Sequence, residues 1–219
     1  MDAVIEPVEI WTFQNKMLTF IFQHTSRGKE AIDSHFPEGL PRSILVTDRH
    51  PSCFNVETAG HRLCLAHLIR NLFYLTELNQ KQTWSTAMLD LFRDGIHQRQ
   101  SVPFGEIDAG GIKDRFNRLI KEDLTALDKK YESLRKSLEK HKEHVFQFLE
   151  YEDVPYDNNG SERSIRPLKV KQKVSGMFKA DDNADAFCQL HSIADTARKN
   201  NQDPFLAFVA VAQNVCNEI

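Results

Sequence analysis

Two carboxylates, Asp48 and Glu162, stand in sequence surroundings that suit metal chemistry. Asp48 follows the apolar, β-branched run 43–47, which predicts a buried strand that ends at the carboxylate. In open α/β sheets ligands gather at strand ends, where rigid support is combined with access from solvent. The alternative is that Asp48 merely begins the turn-like stretch 49–52, and Asp48 taken alone leaves both interpretations open.

Glu162 lies in the segment 157–167, an Asn/Gly turn that leads into a short predicted helix. Ser161 is predicted to cap this helix, and Pro167 is predicted to limit its length. Glu162 would then lie in the first turn, where the helix dipole and the basic neighbours Arg163 and Arg166 favour the ionised carboxylate that a hard cation needs. The alternative is a capped surface helix with an incidental Glu.

Three ordered segments, 47–48, 60–70 and 157–167, together resemble the catalytic domain of insertion-sequence transposases of the TnpC class, the insertion-sequence-sixty-six type. The segments 174–179, 186–200 and 203–205 fit the same family, so the resemblance extends from about Trp11 to Phe208. It implies an α/β, RNase H-like fold with a mixed sheet, a large helical insertion and an Asp, Asp, Glu triad for Mg²⁺, with Mn²⁺ as a substitute. In that pattern Asp48 is the second Asp and Glu162 is the Glu.

The first Asp of the implied triad is expected on an opening strand well ahead of Trp11. Asp2 is the only upstream Asp, and no apolar strand surrounds it. We therefore expect an N-terminally truncated chain without the first strand and the first metal ligand. The implied function is metal-dependent DNA cleavage and strand transfer at an incomplete site. The alternatives are a non-catalytic remnant that binds DNA or a partner chain, a nuclease on the same fold, and a helical interaction protein unrelated to nucleic acid.

The charge of the chain is distributed unevenly. The formal net charge of -3 does not indicate nucleic-acid binding, but Glu162 is the only acid between residues 161 and 179. The predicted DNA phosphate contacts in this stretch are Arg163, Arg166, Lys169, Lys171 and Lys173, with Lys179 beyond them. The alternative is a solvated basic face without a ligand.

Cys64 and His67 are three residues apart on a predicted helix, but no second pair completes a tetrahedral zinc site. Core packing is one interpretation. The family carries a Cys and a His at these positions, so the resemblance implies that His67, together with Asn158, supports the ligand shell beside Asp48.

The cysteine spacing and the apolar stretches of the chain predict the cellular location and the partners of the protein. The four cysteines lack C-x-x-C spacing, which predicts reduced thiols and a cytoplasmic protein. The resemblance to insertion-sequence transposases implies a bacterial one. No signal peptide and no apolar stretch of membrane length is evident, so no membrane partner is expected. Transposition with paired ends implies DNA as the partner and a homo-oligomer.

The runs 8–13 and 17–22 predict a β-hairpin, which a helix through Phe36 and the Asp48 strand follow. A mostly apolar helix is predicted from Gly60. The periodic stretch from Ile120 to Val145 predicts one amphipathic helix, which is packed inside the domain, forms an antiparallel helical hairpin or pairs as a coiled coil. The expected segments are 1–75 for the first part of the catalytic core, 76–152 for the insertion and 153–219 for the closing part. Without a bordering strand the hairpin would expose unpaired backbone, which predicts self-association or poor solubility.

Overall fold

A computed structural model describes residues 9–175 and 181–217 as a mixed α/β protein in which helices predominate. The strands are β1 (Glu9–Gln14), β2 (Thr19–His24), β3 (Leu40–Thr47) and β4 (Thr58–Leu63). The helices are α1 (Lys29–Asp33), α2 (Pro51–Phe54), α3 (Leu65–Leu78), α4 (Trp84–Ser101), α5 (Ala109–Leu119), α6 (Lys129–Lys140), α7 (Asn159–Ser175), α8 (Asp181–Lys199) and α9 (Pro204–Asn217). Single 3₁₀ turns cover Phe104–Glu106, Lys142–His144 and Gln147–Leu149.

The chain divides into two compact units. The hairpin unit contains residues 1–37 and 159–219, and the helical unit contains residues 38–158. The boundaries of these units differ from those of the expected segments 1–75, 76–152 and 153–219. The division into these three segments stays a prediction.

The predicted hairpin forms in the hairpin unit, although its first expected residue, Val8, lies outside the described residues. β1 and β2 pair antiparallel, with Phe13 opposite Phe20. The side-chain oxygen of Asn15 accepts hydrogen bonds from the backbone of Met17 at 2.8 Å and of Leu18 at 2.7 Å, and these bonds shape the turn. A short-range Asx turn therefore sets the hairpin register.

Helix α8 covers the outer edge of β2 with hydroxyl groups. The Ser192 hydroxyl accepts a hydrogen bond from the backbone N–H of Ile21 at 2.8 Å, and the Thr196 hydroxyl accepts one from Thr19 at 3.0 Å. Thr196 also donates to the Thr19 carbonyl at 3.2 Å. These bonds satisfy edge groups that a neighbouring strand would otherwise pair. Within the described ranges no strand borders the other edge of β1, so the predicted self-association now depends on that edge and stays a prediction.

In the helical unit β3 and β4 pair parallel, with Thr47 opposite Leu63. The predicted strand before Asp48 is confirmed, and it begins earlier than expected, at Leu40. The prediction of a helix from Gly60 was wrong, because residues 60–63 pair with β3 and α3 begins only at Leu65. Parallel backbone pairing and the complete burial of Leu63 outweigh the helical spacing of the apolar residues here.

The mixed α/β class is confirmed, but one mixed sheet is not what forms in the described parts of the chain. The strands make two separate two-stranded sheets, β1 with β2 and β3 with β4. The RNase H-like arrangement therefore stays a prediction.

Helices α3, α4, α5 and α6 of the helical unit share one hydrophobic core. Helix α3 contributes the core positions Leu65, Leu68, Leu72 and Leu75, and the aromatic side chains Phe92, Phe116 and Phe146 pack in the same cluster. Each fully buried leucine or phenylalanine contributes roughly 1.5–3 kcal/mol through the removal of apolar surface from water. No helix in the described parts combines the length and the apolar character that crossing a membrane requires.

The prediction of one helix from Ile120 to Val145 was wrong. Helix α5 ends at Leu119, and α6 begins only after Asp128, whose side chain accepts a hydrogen bond from the Lys130 backbone at 2.9 Å. Asp123 makes a similar local bond to the Thr125 backbone, also at 2.9 Å. Such bonds compete with the helical ladder and end it. The apolar residues of the stretch are buried in the shared core, so packing inside the domain, and not a coiled coil, is confirmed.

Three histidines surround Phe54 of α2 in the helical unit. Ring centroids lie 5.2 Å from Phe54 for His61, 4.6 Å for His141 and 5.7 Å for His144. Burial lowers the pKa of His61, and the positive charge of His144 lowers it further. Burial also lowers the pKa of His141, together with the charges of Lys140 and His144. Protonation of His61 and His141 at low pH therefore places positive charge where burial and neighbouring cations disfavour it.

We expect the protein to lose stability as the pH falls below about 6.5, the pKa of an unfolded histidine. A histidine with a depressed folded-state pKa binds its proton more readily when unfolded, so the stability is highest above that pH and declines below it. Urea unfolding midpoints at pH 7.5, 6.5 and 5.5 measure the effect. His141→Gln should flatten the dependence, and a wild-type midpoint that stays constant down to pH 5.5 would contradict the prediction.

Candidate functional site

Asp48 directly follows the last residue of β3, and its side chain is exposed. The predicted position at the end of a strand is thus confirmed. Burial, and to a smaller extent the negative charge of Asp48, together raise the pKa of the Cys53 thiol to about 11. The field of the carboxylate therefore reaches into the start of the next helix, while the carboxylate itself stays open to solvent.

Arg49 has a left-handed backbone, with φ of 76°. This region is unfavourable for a residue other than glycine, and such strain often occurs at functional sites. The Arg49 guanidinium donates a hydrogen bond to the Ser137 hydroxyl at 3.3 Å. Sequence reasoning missed this feature, because arginine is not a residue type that signals a left-handed turn.

Arg49→Gly is expected to be more stable than Arg49→Ala by about 1–2 kcal/mol, because only glycine adopts the left-handed backbone without steric cost. Both variants lose the bond to Ser137, so their difference isolates the backbone. Chemical denaturation of the two variants measures it. Equal free energies of unfolding would show that residue 49 does not need a left-handed conformation.

Three backbone contacts meet around Cys64, in the connection between β4 and α3. The Cys64 N–H donates to the Thr47 carbonyl at 2.8 Å, and the Leu65 N–H donates to the Tyr156 carbonyl at 3.0 Å. The Asn158 N–H donates to the Cys64 sulfur at 3.3 Å. We call this set the Cys64 junction. It brings the end of β3 and the segment before α7 together within the helical unit.

The Cys64 thiol acts here as a hydrogen-bond acceptor. Burial raises its pKa, and backbone N–H groups of His67, Asn158 and Ala66 lower it in part. His67 lies in the first turn of α3, so the predicted supporting residues His67 and Asn158 both contact Cys64 through their backbone N–H groups. A neutral buried thiol suits this structural task better than metal binding.

Two buried oxygen atoms at the junction have no hydrogen-bond partner within residues 9–175 and 181–217. They are Thr47 Oγ1 and Asn158 Oδ1. Thr47 immediately precedes Asp48 in the chain. Buried polar atoms of this kind normally bond to water or to a ligand, so they fit the hydration shell of a cation beside the Asp48 carboxylate.

Arg62 of β4 is completely buried. Its guanidinium donates a hydrogen bond to the Pro155 carbonyl and lies 4.8 Å from the centre of the Phe148 ring. Burial lowers the pKa of Arg62 to about 9, although the charges of Cys64 and Asp157 oppose the shift. Sequence reasoning did not single out Arg62, because the stretch from Gly60 was predicted to be helical and an arginine beside His61 gives no sign of burial.

Glu162 lies in the first turn of α7, as predicted. Two other predictions for this helix were wrong: Ser161 lies inside α7 instead of capping it, and Pro167 does not stop the helix, which continues to Ser175. The reason is packing on both sides of the proline. Ile165 and Leu168 are buried, and Leu168 belongs to the core of the hairpin unit.

The predicted phosphate contacts of α7 are all exposed; they are Arg163, Arg166, Lys169, Lys171 and Lys173. Arg166, Lys169 and Lys173 follow Glu162 by four, seven and eleven residues, which places these four side chains on one helix face. Lys171 points to another side of the helix. Lys179 and the neighbouring motif residues 176–178 lie outside the described residues.

The sequence matches the family described as Transposase IS66 family over residues 8–186. The chain belongs to the IS66 transposase family. This match confirms the resemblance drawn from the segments around Asp48, Cys64 and Glu162. Comparisons with curated proteins and with solved structures give no match. Membership of the IS66 family implies that the protein binds DNA.

The metal chemistry of this IS66-family chain is limited by where its carboxylates lie. Asp48 belongs to the helical unit and Glu162 to the hairpin unit, so each unit contributes one of the two carboxylates. Within the described parts no group of three or more His, Cys, Asp or Glu side chains could hold a metal ion. Mg²⁺ usually takes one or two carboxylates and keeps several waters. The exposed Asp48 fits this pattern, whereas Glu162 is half-buried and one of its carboxylate oxygens is buried. Asp2, the residue considered for the first Asp, lies outside the described residues.

One depression of the IS66-family chain, of about 700 Å³, lies away from these residues. It is lined by Gln98 of α4, by residues of α5 and by the flanking Asp108 and Lys121, and none of the predicted site residues takes part.

Proposed function

We propose that this IS66-family chain is the catalytic part of a transposase that cleaves DNA strands and joins them with Mg²⁺. Asp48 and Glu162 would hold the metal, in an RNase H-like arrangement, and Mn²⁺ would substitute. Bound Mg²⁺ would activate an attacking water or 3′-hydroxyl and stabilise the leaving oxygen. The Cys64 junction is the observation that carries this proposal, because it brings the segments before Asp48 and before α7 to one point.

Residues of the helical unit would position the Asp48 carboxylate and the waters around the metal. Asp48 extends from the rigid end of β3 into solvent, and its backbone neighbour Thr47 is held by Cys64. The buried oxygens Asn158 Oδ1 and Thr47 Oγ1, which have no partner among the described residues, would accept hydrogen bonds from waters around the metal. His67 stays in place as part of the helix turn that Cys64 caps. Each of these side chains orients a ligand or a water and takes no part in bond making.

The hairpin unit supplies Glu162 and the contacts to the substrate. Three cations share the face of α7 with Glu162, so a phosphodiester that reaches the carboxylate also reaches Arg166, Lys169 and Lys173. Arg163 is the immediate neighbour of Glu162, and Lys171 extends the contact to an adjacent strand segment. Phosphate contacts of this kind position the duplex without reading its sequence.

The direct test is a strand-transfer assay with a supercoiled target and a duplex that carries the terminal sequences of the source element. We expect cleaved and joined products with Mg²⁺ or Mn²⁺ and none with a chelator. Mg²⁺-dependent nicks without joined products would indicate a nuclease, and the absence of both products would overturn the catalytic proposal.

Removing the basic face of α7 is expected to weaken duplex binding uniformly across DNA sequences. The triple change Arg166→Ala, Lys169→Ala and Lys173→Ala should reduce the slope of log K against log salt by about 0.9 per lost phosphate contact. Fluorescence anisotropy over a series of salt concentrations measures this slope.

A matched control removes the same charge from another helix of the protein. Lys129, Lys136 and Lys140 are exposed on α6, and their triple change to alanine should leave the slope close to wild type. Equal losses in the two triple variants would mean that binding follows total charge and that α7 holds no specific contact surface.

A second candidate function is DNA binding, or binding to a partner chain, without catalysis. One observation favours it: the described residues assemble no three-ligand metal cluster. Salt-sensitive binding to duplex DNA together with inert strand-transfer reactions would support this function. In either case we propose that the protein acts as a homo-oligomer, since two transposon ends must be held together.

A further inference from the structure

We propose that Asp195 of α8 is a positioning residue that holds the first turns of α7 and thereby orients Glu162. The role of Glu162 rests on the function proposed above. One oxygen of the Asp195 carboxylate accepts a hydrogen bond from the Ser164 hydroxyl of α7 at 2.7 Å and one from the Thr19 hydroxyl of β2 at 2.6 Å. A single side chain thus ties α7 to the hairpin.

Gln14 of β1 provides a second attachment for the same helix end. Its side-chain oxygen accepts a hydrogen bond from the Lys199 ammonium at 2.7 Å and shares the single Ser164 hydroxyl proton with Asp195, in a longer bifurcated contact at 3.2 Å. Lys199 also donates to the Asn15 carbonyl at 2.9 Å, so Gln14 is held from both sides. At Gly160 a Cβ would collide with the Gln14 amide, which shows how closely the start of α7 approaches β1.

Helix α8 is itself fixed to the hairpin, so Asp195 has a defined position. Ser192 and Thr196 bond to the backbone of β2, as described above. Ser192, Asp195, Thr196 and Lys199 recur at three- and four-residue steps and form one polar stripe. Asp195 is the member of this stripe whose bond reaches a side chain of α7.

Pro167 makes an external attachment necessary. Proline has no N–H, so the Arg163 carbonyl receives no helical hydrogen bond from position 167. The turns that carry Glu162 are therefore joined less firmly to the rest of α7. Ser164 follows Glu162 by two residues, so a bond that holds the Ser164 side chain fixes the rotation of the turn that carries Glu162.

The protonation state of Asp195 supports the same role. Burial raises its pKa, but hydrogen bonds from Thr19 and Ser164 and the charge of Lys199 lower it more, and the net pKa lies below the ordinary value. The carboxylate is ionised at neutral pH, and bonds to an ionised acceptor are stronger than neutral ones. Their stabilisation is present above the unfolded pKa of about 3.9 and is lost as the pH falls through the folded value.

The experiment compares Asp195→Ala and Ser164→Ala, which break the bond, with Ser164→Thr, which keeps a hydroxyl. Asp185→Ala is the matched control, since it removes an exposed carboxylate from the same helix as Asp195. Two quantities are measured: amide hydrogen exchange of residues 160–166 in metal-free protein, and Mn²⁺ affinity by titration. Circular dichroism melting verifies that each variant folds.

Both bond-breaking variants should speed exchange at residues 160–166 and weaken Mn²⁺ binding about 10–100-fold. Their double variant should lose little more than either single one, because both changes remove the same bond. Ser164→Thr and Asp185→Ala should match wild type at these amides.

Unchanged exchange in both bond-breaking variants would overturn the proposal, and so would faster exchange with unchanged Mn²⁺ affinity. A wild-type protein that neither binds Mn²⁺ nor cleaves DNA would refute the proposed function instead. The exchange data and the double variant would still decide whether Asp195 holds α7.

Discussion

Glu162→Gln is expected to reduce strand cleavage and transfer by about 10³-fold, which corresponds to about 4 kcal/mol of lost transition-state stabilisation. Glutamine keeps the size and shape of the side chain but removes the charge that a hard cation needs. The helix face would still present Arg166, Lys169 and Lys173, so DNA affinity in the absence of metal should stay at the wild-type level. The strand-transfer assay and anisotropy binding together measure this separation of binding from chemistry.

Two variants complete this test. Asp48→Asn should cause a loss of the same order, and the double variant should be little worse than either single change, because the two carboxylates serve one metal site. Glu77→Gln removes an exposed carboxylate of α3 and serves as the control with full activity. Wild-type activity in Glu162→Gln would remove Glu162 from the site.

The second large effect concerns the buried guanidinium of Arg62. Arg62→Met is expected to be about as stable as wild type or more stable, because replacing a buried charge by an apolar side chain of similar volume is often neutral or gains about 1–4 kcal/mol. Arg62 Nε and Nη2 have no hydrogen-bond partner in the described parts, so methionine gives up little there. Arg62→Ala leaves a cavity beside Phe148 and should be less stable than Arg62→Met by about 2–5 kcal/mol.

In the Arg62 variants we expect the strand-transfer activity to fall even where the free energy of unfolding is unchanged. Both lose the hydrogen bond to the Pro155 carbonyl, which holds the segment 155–158 near the Cys64 junction. We expect strand transfer to fall about tenfold or more even in the well-folded Arg62→Met protein. Urea unfolding and the transfer assay measure the two effects. A methionine variant as unstable as the alanine variant would mean that the charge itself stabilises the fold, and full activity would mean that the Pro155 bond does not position the site.

The features that sequence reasoning located correctly depend on neighbours in the chain. The apolar run before Asp48 forms a strand, Asn15 shapes the hairpin turn, and Glu162 lies in the first turn of its helix. The leucines of α3 lie in the core at the expected spacing. Turn chemistry and apolar periodicity act over a few residues, so they can be recognised without knowledge of the fold.

Other outcomes required the tertiary structure. Residues 60–63 form a strand because β3 lies beside them, and α7 continues through Pro167 because Leu168 is buried in the core of its unit. Neither partner is visible in the local sequence, and each changes the preferred backbone through hydrogen bonds or burial.

The candidate site, too, combines features that the sequence determines with features that only the tertiary structure determines. The amino-acid sequence by itself determined the family, the two carboxylates and the cations of α7, because residue types at recognisable spacings carry that information. Only the tertiary structure decided that Cys64 binds the Asn158 backbone and that Asp195 binds Ser164. Each of these contacts joins residues that are far apart in the chain. They form because a polar group that is buried when its unit folds must find a hydrogen-bond partner, and the local sequence does not show which partner that is.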